Sequence, residues 1–148
     1  MSTLSTRVEI EIPRAPAQVW GVVTDYPTDL VWRKGIAEMT PDRAGPPAVG
    51  TRVREVLRLL GRDYVTDTVV TRVGPAMSYG FEGTGTSGVV RGRRTVVPAG
   101  DGRAVFAYDV DLEPHGIPRA ARPLLRWWLE HSLRRDLRRL RAHLIATA

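Results

Sequence analysis

The sequence predicts an α+β domain: one strand, two short helices, a meander of antiparallel strands and a long final helix. Three observations carry this. Residues 7–12, Arg-Val-Glu-Ile-Glu-Ile, alternate strictly between charged and apolar, the period of a half-buried strand. Between about 51 and 113, runs of strand composition are broken by Gly61, Gly74-Pro75 and Gly100-Asp101-Gly102, which is the punctuation of hairpins. From Pro123 to Ile145, Leu125, Leu129, Leu133, Leu137, Leu140 and Leu144 recur at helical intervals and mark one face of one helix.

Each element follows in order. The alternation turns Val8, Ile10 and Ile12 towards a core, and Pro13 ends the strand. Over 15–23, Pro16 falls in a first helical turn, where its missing N–H is tolerated, and Val19, Trp20, Val22 and Val23 follow it. A further turn or two from Thr28 to Arg33 brings Leu30 and Trp32 near the core. Pro41 to Gly50 is a loop by its proline and glycine density. The extended runs are 51–60, 62–73, 76–82, 88–97 and 103–113. On the last, Phe106, Tyr108, Val110 and Leu112 face inward and Asp109 and Asp111 outward. The final helix, 123–145, would be roughly 34 Å long, enough to cross a sheet.

Composition narrows the function classes. The chain has 148 residues, a formal charge of +6 and 43% hydrophobic residues, which fits a single domain over 1–148. The absence of cysteine excludes thiolate zinc sites, Fe–S clusters, disulfides and cysteine nucleophiles. No apolar run approaches the ~20 residues of a membrane span, and Met1 to Arg7 carries no signal-peptide core, so a cytoplasmic protein is expected. All but one of the 22 basic residues are arginine. The densest patch, Arg134 to Arg141, lies opposite a leucine stripe and reads as a solvated face; nucleic acid is not an expected partner. His131 and His143 are too far apart on one helix to share a metal, and Glu130-His131 lacks the His-Glu-x-x-His pattern, so neither metal nor cofactor is expected. Gly83-Thr84-Gly85-Thr86-Ser87-Gly88 matches a dinucleotide-loop string, but Val89-Val90-Arg91 after it reads as a strand. Without a helix N-terminus to hold a pyrophosphate it is a flexible hairpin.

Ile12-Pro13-Arg14-Ala15-Pro16-Ala17-Gln18-Val19-Trp20 running on to Thr24-Asp25-Tyr26, the turn Val97 to Gly102, and Leu112-Glu113-Pro114 before the last helix resemble the START and Bet v 1-like superfamily. The particular likeness is to its polyketide cyclase/dehydrase and lipid-transport branch, over nearly the whole chain. The resemblance implies a helix-grip fold, a curved antiparallel sheet of about seven strands wrapped around the long C-terminal helix, with two short helices after the first strand and a cavity between sheet and helix. It also implies a hydrophobic small-molecule ligand, lipid or polyketide-like. Cofactor-free polyketide cyclisation or dehydration is the alternative.

On that fold the cavity lining would comprise Trp20, Trp32, Tyr64, Tyr79, Phe81, Phe106, Tyr108 and Trp128, with Thr66, Thr68 and Ser132 as polar contacts. Apolarity does not choose between the sets Tyr64, Thr66, Thr68, Val70 and Val65, Asp67, Val69, Thr71. The likeness to aromatase/cyclase members, whose cavity aromatics follow a Gly-Arg pair like Gly61-Arg62, favours the first. Those members carry an arginine two positions after an inward hydroxyl; here Thr68 is followed by Val70. Candidate acid/base residues are Glu55, between the inward Val53, Leu57 and Leu59, and Asp136 on the helix. Arg91 and Arg93 would present cations to an enolate or carboxylate if their parity faces inward; the opposite parity turns Gly92, Arg94 and Val96 inward instead. His115 precedes the long helix, where a cavity mouth would be, and reads as an exposed loop residue.

Overall fold

The computed structural model describes residues 3–147. The N-terminal alternation becomes β1 (Leu4–Ile12), which starts earlier than expected because Leu4 extends the buried set of Val8 and Ile12. After Pro13, α1 (Pro16–Val23) opens with proline in its first turn, and the Ala15 N–H donates to Gln18 Oε1 at 3.2 Å, satisfying one donor at the helix start. A 3₁₀ turn (Tyr26–Thr28) leads into α2 (Asp29–Trp32). This helix is a single turn, so only Asp29 and Trp32, three apart, share its inward face. Leu30, expected near the core, is 44% exposed for that reason.

β2 (Ile36–Pro41) was not legible as a strand, because a bulge between Ile36 and Glu38 interrupts its alternation and it lies at the edge of the sheet. β3 (Arg52–Leu59), β4 (Arg62–Val73), β5 (Met77–Gly85), β6 (Gly88–Pro98) and β7 (Ala104–Pro114) form the meander. Together they make a seven-stranded antiparallel sheet in the order β1-β7-β6-β5-β4-β3-β2. The chain starts at one edge, crosses through α1 and α2 to the other, and returns hairpin by hairpin until β7 pairs with β1.

The curl of the sheet depends on glycine. A Cβ on Gly83 or Gly85 would collide with the β4 backbone at Asp67 or Val65, and one on Gly88 with the β7 backbone at Glu113. The glycine string at 83–88 is thus the end of the β5–β6 hairpin, with Gly85 paired to Gly88.

The long helix, α3 (Arg122–Ala146), makes its main contacts with β1 and α2. Arg141 Nε donates to Glu11 O at 3.1 Å and Arg14 Nε to Leu144 O at 3.1 Å, which fixes the C-terminal end of α3 beside the end of β1. Val8, Ile12, Val19, Trp32, Phe106, Leu137 and Leu140 form the buried centre, each fully buried aliphatic side chain contributing roughly 1.5–3 kcal/mol. No helix of the described residues is long and apolar enough to cross a membrane.

Candidate functional site

Strand pairing sorts the inner face into rows. Phe106, Val96 and Met77 form one, and Tyr108, Arg94 and Tyr79 the next. Val110, Gly92, Phe81 and Val70 follow, then Leu112, Val90, Gly83, Thr68 and Val53, and finally Pro114, Gly88, Gly85, Thr66 and Glu55. The first two rows are closed over by α1 and α2: Trp20 packs edge-on to Tyr79 with ring centres 6.1 Å apart, and Trp32 to Phe106 at 6.2 Å. The later rows face the first half of α3 and are less covered. Phe81, Val90, Leu112, Tyr64, Leu57 and Leu59 are half-buried, as are Leu125, Trp128 and Leu129 on the helix. The inner face is therefore apolar and only half-covered at this end, where its rows also carry Gly83, Gly85 and Gly88. Phe81 lies across Gly92, where a Cβ would strike its ring.

The closed end holds a polar cluster. Arg94 and Asp29 are 1% and 0% exposed, and the guanidinium donates to both Asp29 oxygens at 3.1 and 2.6 Å. It also donates to Val23 O at 3.0 Å and Tyr108 Oη at 3.3 Å, and lies 5.0 Å from the Trp32 ring centre, so its positive charge is met by a carboxylate and by ring faces. Burial, the largest influence, would lower its pKa, but Asp29 together with Tyr108 and Tyr79 holds it well above the ordinary value. Asp29 Oδ2 accepts a second bond from Arg33 Nη1 at 3.2 Å, and the same nitrogen donates to Glu55 Oε1 at 2.6 Å. Arg94, Asp29, Arg33 and Glu55 thus form one alternating chain of charge. Arg33 is pulled down most by burial, but Glu55, Tyr108 and Asp29 together raise it above its ordinary value. Burial pushes the Tyr26 phenol up to about 12 and Tyr79 well above its ordinary value, so both are neutral donors.

The sequence-predicted residues fall into three groups. Tyr79, Phe106, Tyr108 and Trp32 are inward and buried in the closed end, with Trp20 half-buried beside them. Tyr64, Thr66, Thr68, Phe81 and Trp128 are half-buried, and Ser132 is buried. The Tyr64 parity is therefore the inner one. Arg91 and Arg93 are corrected: both point outward, paired with Glu82 at 3.3 Å and Asp109 at 3.7 Å. The registers Val96↔Phe106 and Arg94↔Tyr108 put the other parity inside.

Glu55 lies on the inner side but is engaged by Arg33. Asp136 is 6% exposed, accepts the Lys34 N–H at 3.1 Å, and has its carboxyl pushed above the ordinary 3.8 by burial, against the opposing pull of that bond. His115 is exposed. Sequence reasoning missed Asp29 and Arg33 and left Arg94 as an open parity. Asp29 had a signal, since an acid beside Trp32 in a one-turn helix must either be exposed or find a buried cation.

The outer face of the sheet carries a separate open trough of about 680 Å³ across β2 to β5, lined by Glu38, Asp42, Arg52, Arg54, Asp67 and Glu82 among others. Within it Arg54 pairs with Asp67 at 3.0 Å, while Glu82 pairs with Arg91 and Asp42 with Arg43 beside it. Among the described residues no group of three His, Asp or Glu side chains is placed to hold a metal ion.

A seven-stranded antiparallel sheet with a long C-terminal helix packed against it and two short helices after the first strand defines a START/Bet v 1-like helix-grip protein. The chain superimposes on a START superfamily protein from Mycobacterium smegmatis with a TM-score of 0.82 at 15% identity, covering 97% of this chain and 99% of that one. It is similarly close to the ZhuI aromatase/cyclase from Streptomyces sp. R1128, with a TM-score of 0.78 at 13% identity over 97% and 94% of the two chains. Ara h 8.0201 matches with a TM-score of 0.70 at 13% identity over 98% and 99%. These likenesses establish the fold. Residues 3–144 match the model of the family described as polyketide cyclase/dehydrase and lipid transport, and the chain belongs to that family. No curated protein sequence matches this one.

Proposed function

We propose that this protein binds an apolar small molecule, lipid or polyketide-like, in the groove between the inner face of β3 to β7 and the first half of α3. One observation carries the reading. Leu57, Tyr64, Phe81, Leu112, Leu125 and Trp128 line facing walls yet stay half-buried, although covering such surface is worth roughly 25 cal/mol per Å². A ligand completes that burial. Thr66 and Thr68 supply hydroxyls on an otherwise apolar wall, the pattern of sites that orient a greasy molecule with few polar contacts. The family description, which joins cyclases with lipid transport, agrees in ligand type.

Turnover would need an acid or base at liberty to exchange a proton with the ligand. Glu55 is committed to Arg33 at 2.6 Å and Asp136 to the Lys34 N–H at 3.1 Å, which favours binding over cyclisation. Mass spectrometry of the gently purified protein, native and then denatured, tests the reading, together with titration by the fluorescent probe 1-anilinonaphthalene-8-sulfonate. The expected result is a small apolar mass released on denaturation, or saturable probe binding at one site, weakened at least roughly tenfold by Trp128→Asp. No released mass and no saturable probe site would overturn it. Measurable cyclisation lost in Glu55→Gln would replace binding with catalysis.

A further inference from the structure

We propose that the open end of the groove is a docking face for an anionic lipid surface. This goes beyond ligand binding, because it assigns an interaction surface outside the groove.

Three segments meet at that end. The His115 N–H donates to Ser87 O at 3.1 Å and the Thr86 N–H to Val65 O at 2.9 Å, so the β5–β6 turn joins the approach to α3 on one side and the start of β4 on the other. The β3–β4 turn at Leu60-Gly61 projects from the same end of the sheet, next to the start of β4.

These segments carry the large apolar side chains left most open to solvent there: Leu60 is 98% exposed, Leu124 68%, Trp127 59% and Ile117 36%. Single exposed hydrophobics are ordinary, but a group gathered at one end marks an interaction site. Trp127 is stacked on His131 on the outer side of α3, with ring centres 5.2 Å apart, so it is held outward and does not fold into the groove. Tryptophan is the residue that settles at a membrane–water boundary.

Charge selects the partner. Arg62, Arg119 and Arg126 are exposed among these apolar groups. Of the nearby acids, Asp63 is paired with Arg58 at 2.9 Å and Glu130 with Arg134 at 2.8 Å, which leaves Glu113 at the end of β7 as a single carboxylate against these arginines. Arg134 and Arg138 continue the exposed stripe along α3 behind Trp127. A second copy of this chain, itself at +6, would be repelled. An acidic protein or nucleic acid would meet the arginines but leave the apolar tips in water. An anionic bilayer takes both at once: headgroups for the guanidinium groups and an acyl boundary a few ångströms deeper for Leu60, Ile117, Leu124 and Trp127.

Co-sedimentation with phosphatidylcholine vesicles, with and without phosphatidylglycerol, tests the proposal. Binding is expected only with phosphatidylglycerol at about 50 mM salt and should be largely lost by about 500 mM, where screening is short-ranged. Leu124→Ser/Trp127→Ser should weaken vesicle binding roughly tenfold or more, and Arg119→Gln/Arg126→Gln roughly fivefold per charge. All four positions are on exposed surface, and unchanged far-UV circular dichroism checks that each variant folds. No binding to anionic vesicles, or binding undiminished by the Leu124/Trp127 double variant, overturns the proposal. So does tighter binding to duplex DNA or polyglutamate than to vesicles, which would reassign the arginines to another class of partner. Titration of the same variants with 1-anilinonaphthalene-8-sulfonate, without vesicles, reads the groove separately. Intact probe binding with absent vesicle binding removes the docking face and leaves the groove.

Discussion

The two halves of α3 carry the same leucine stripe and meet different surroundings. In the second half Leu133, Leu137, Leu140 and Leu144 are 6%, 1%, 0% and 4% exposed. In the first, Leu125 and Leu129 are half-buried and Leu124 and Trp127 open. The helix does not cause the difference. The second half packs into a cluster with Val8, Ile12, Phe106 and Trp32, large side chains that fill the space; the sheet rows at the other end carry Gly83, Gly85, Gly88, Thr66 and Thr68. The proposed groove would be made by small residues on the strands, and three of them are glycines where a Cβ would strike the neighbouring strand's backbone.

The closed half should be fragile to the loss of one charge. Asp29→Ala leaves Arg94 buried without its carboxylate, a change expected to cost about 3–5 kcal/mol in urea unfolding. A loss under about 1 kcal/mol would mean that the pair does not hold this end together. The contrast along α3 can be read directly by truncation. Leu137→Ala should cost about 2–5 kcal/mol, for lost burial plus a cavity, and Leu125→Ala less than about 1 kcal/mol, since most of its surface change is already open. Equal costs would erase the distinction between the halves.

The smallest effect concerns Asp136, where the halves meet. Burial holds its carboxyl above the ordinary 3.8, so the folded chain binds that proton more tightly than the unfolded one. The stability this contributes is complete below pH 3.8 and is lost as pH rises through the folded value. Asparagine stays neutral and can still accept the Lys34 N–H. Asp136→Asn should therefore melt about 2–4 °C higher at pH 7, with the gap closing in acid. A lower Tm at pH 7 would mean that the anion is stabilised there by Arg33 and Arg135.

Most of the fold was legible because it rests on local signals: alternation in β1 and β7, glycine at hairpin ends and the leucine stripe of α3. β2 escaped because its bulge breaks the alternation that would have announced it. The site was less legible, since its defining contact spans 65 residues between Asp29 and Arg94. Nothing near Arg94 in the sequence shows that a carboxylate waits for it, so inward Arg91 and Arg93 looked no worse until the β6–β7 register fixed the parity. Glu55 was placed on the right face, but Arg33, which occupies it, lies 22 residues away on a segment whose path local pattern does not give.

The most direct measurement is hydrogen–deuterium exchange, followed peptide by peptide with and without 1-anilinonaphthalene-8-sulfonate. Without probe, 133–144 should exchange slowly and 122–131 fast. With probe, protection is expected to rise over 122–131 and around 57–68 and to stay unchanged over 133–144. Protection confined to the outer trough around Glu38, Asp42 and Arg54, or uniform slow exchange along α3 with no response to the probe, would contradict an open ligand groove.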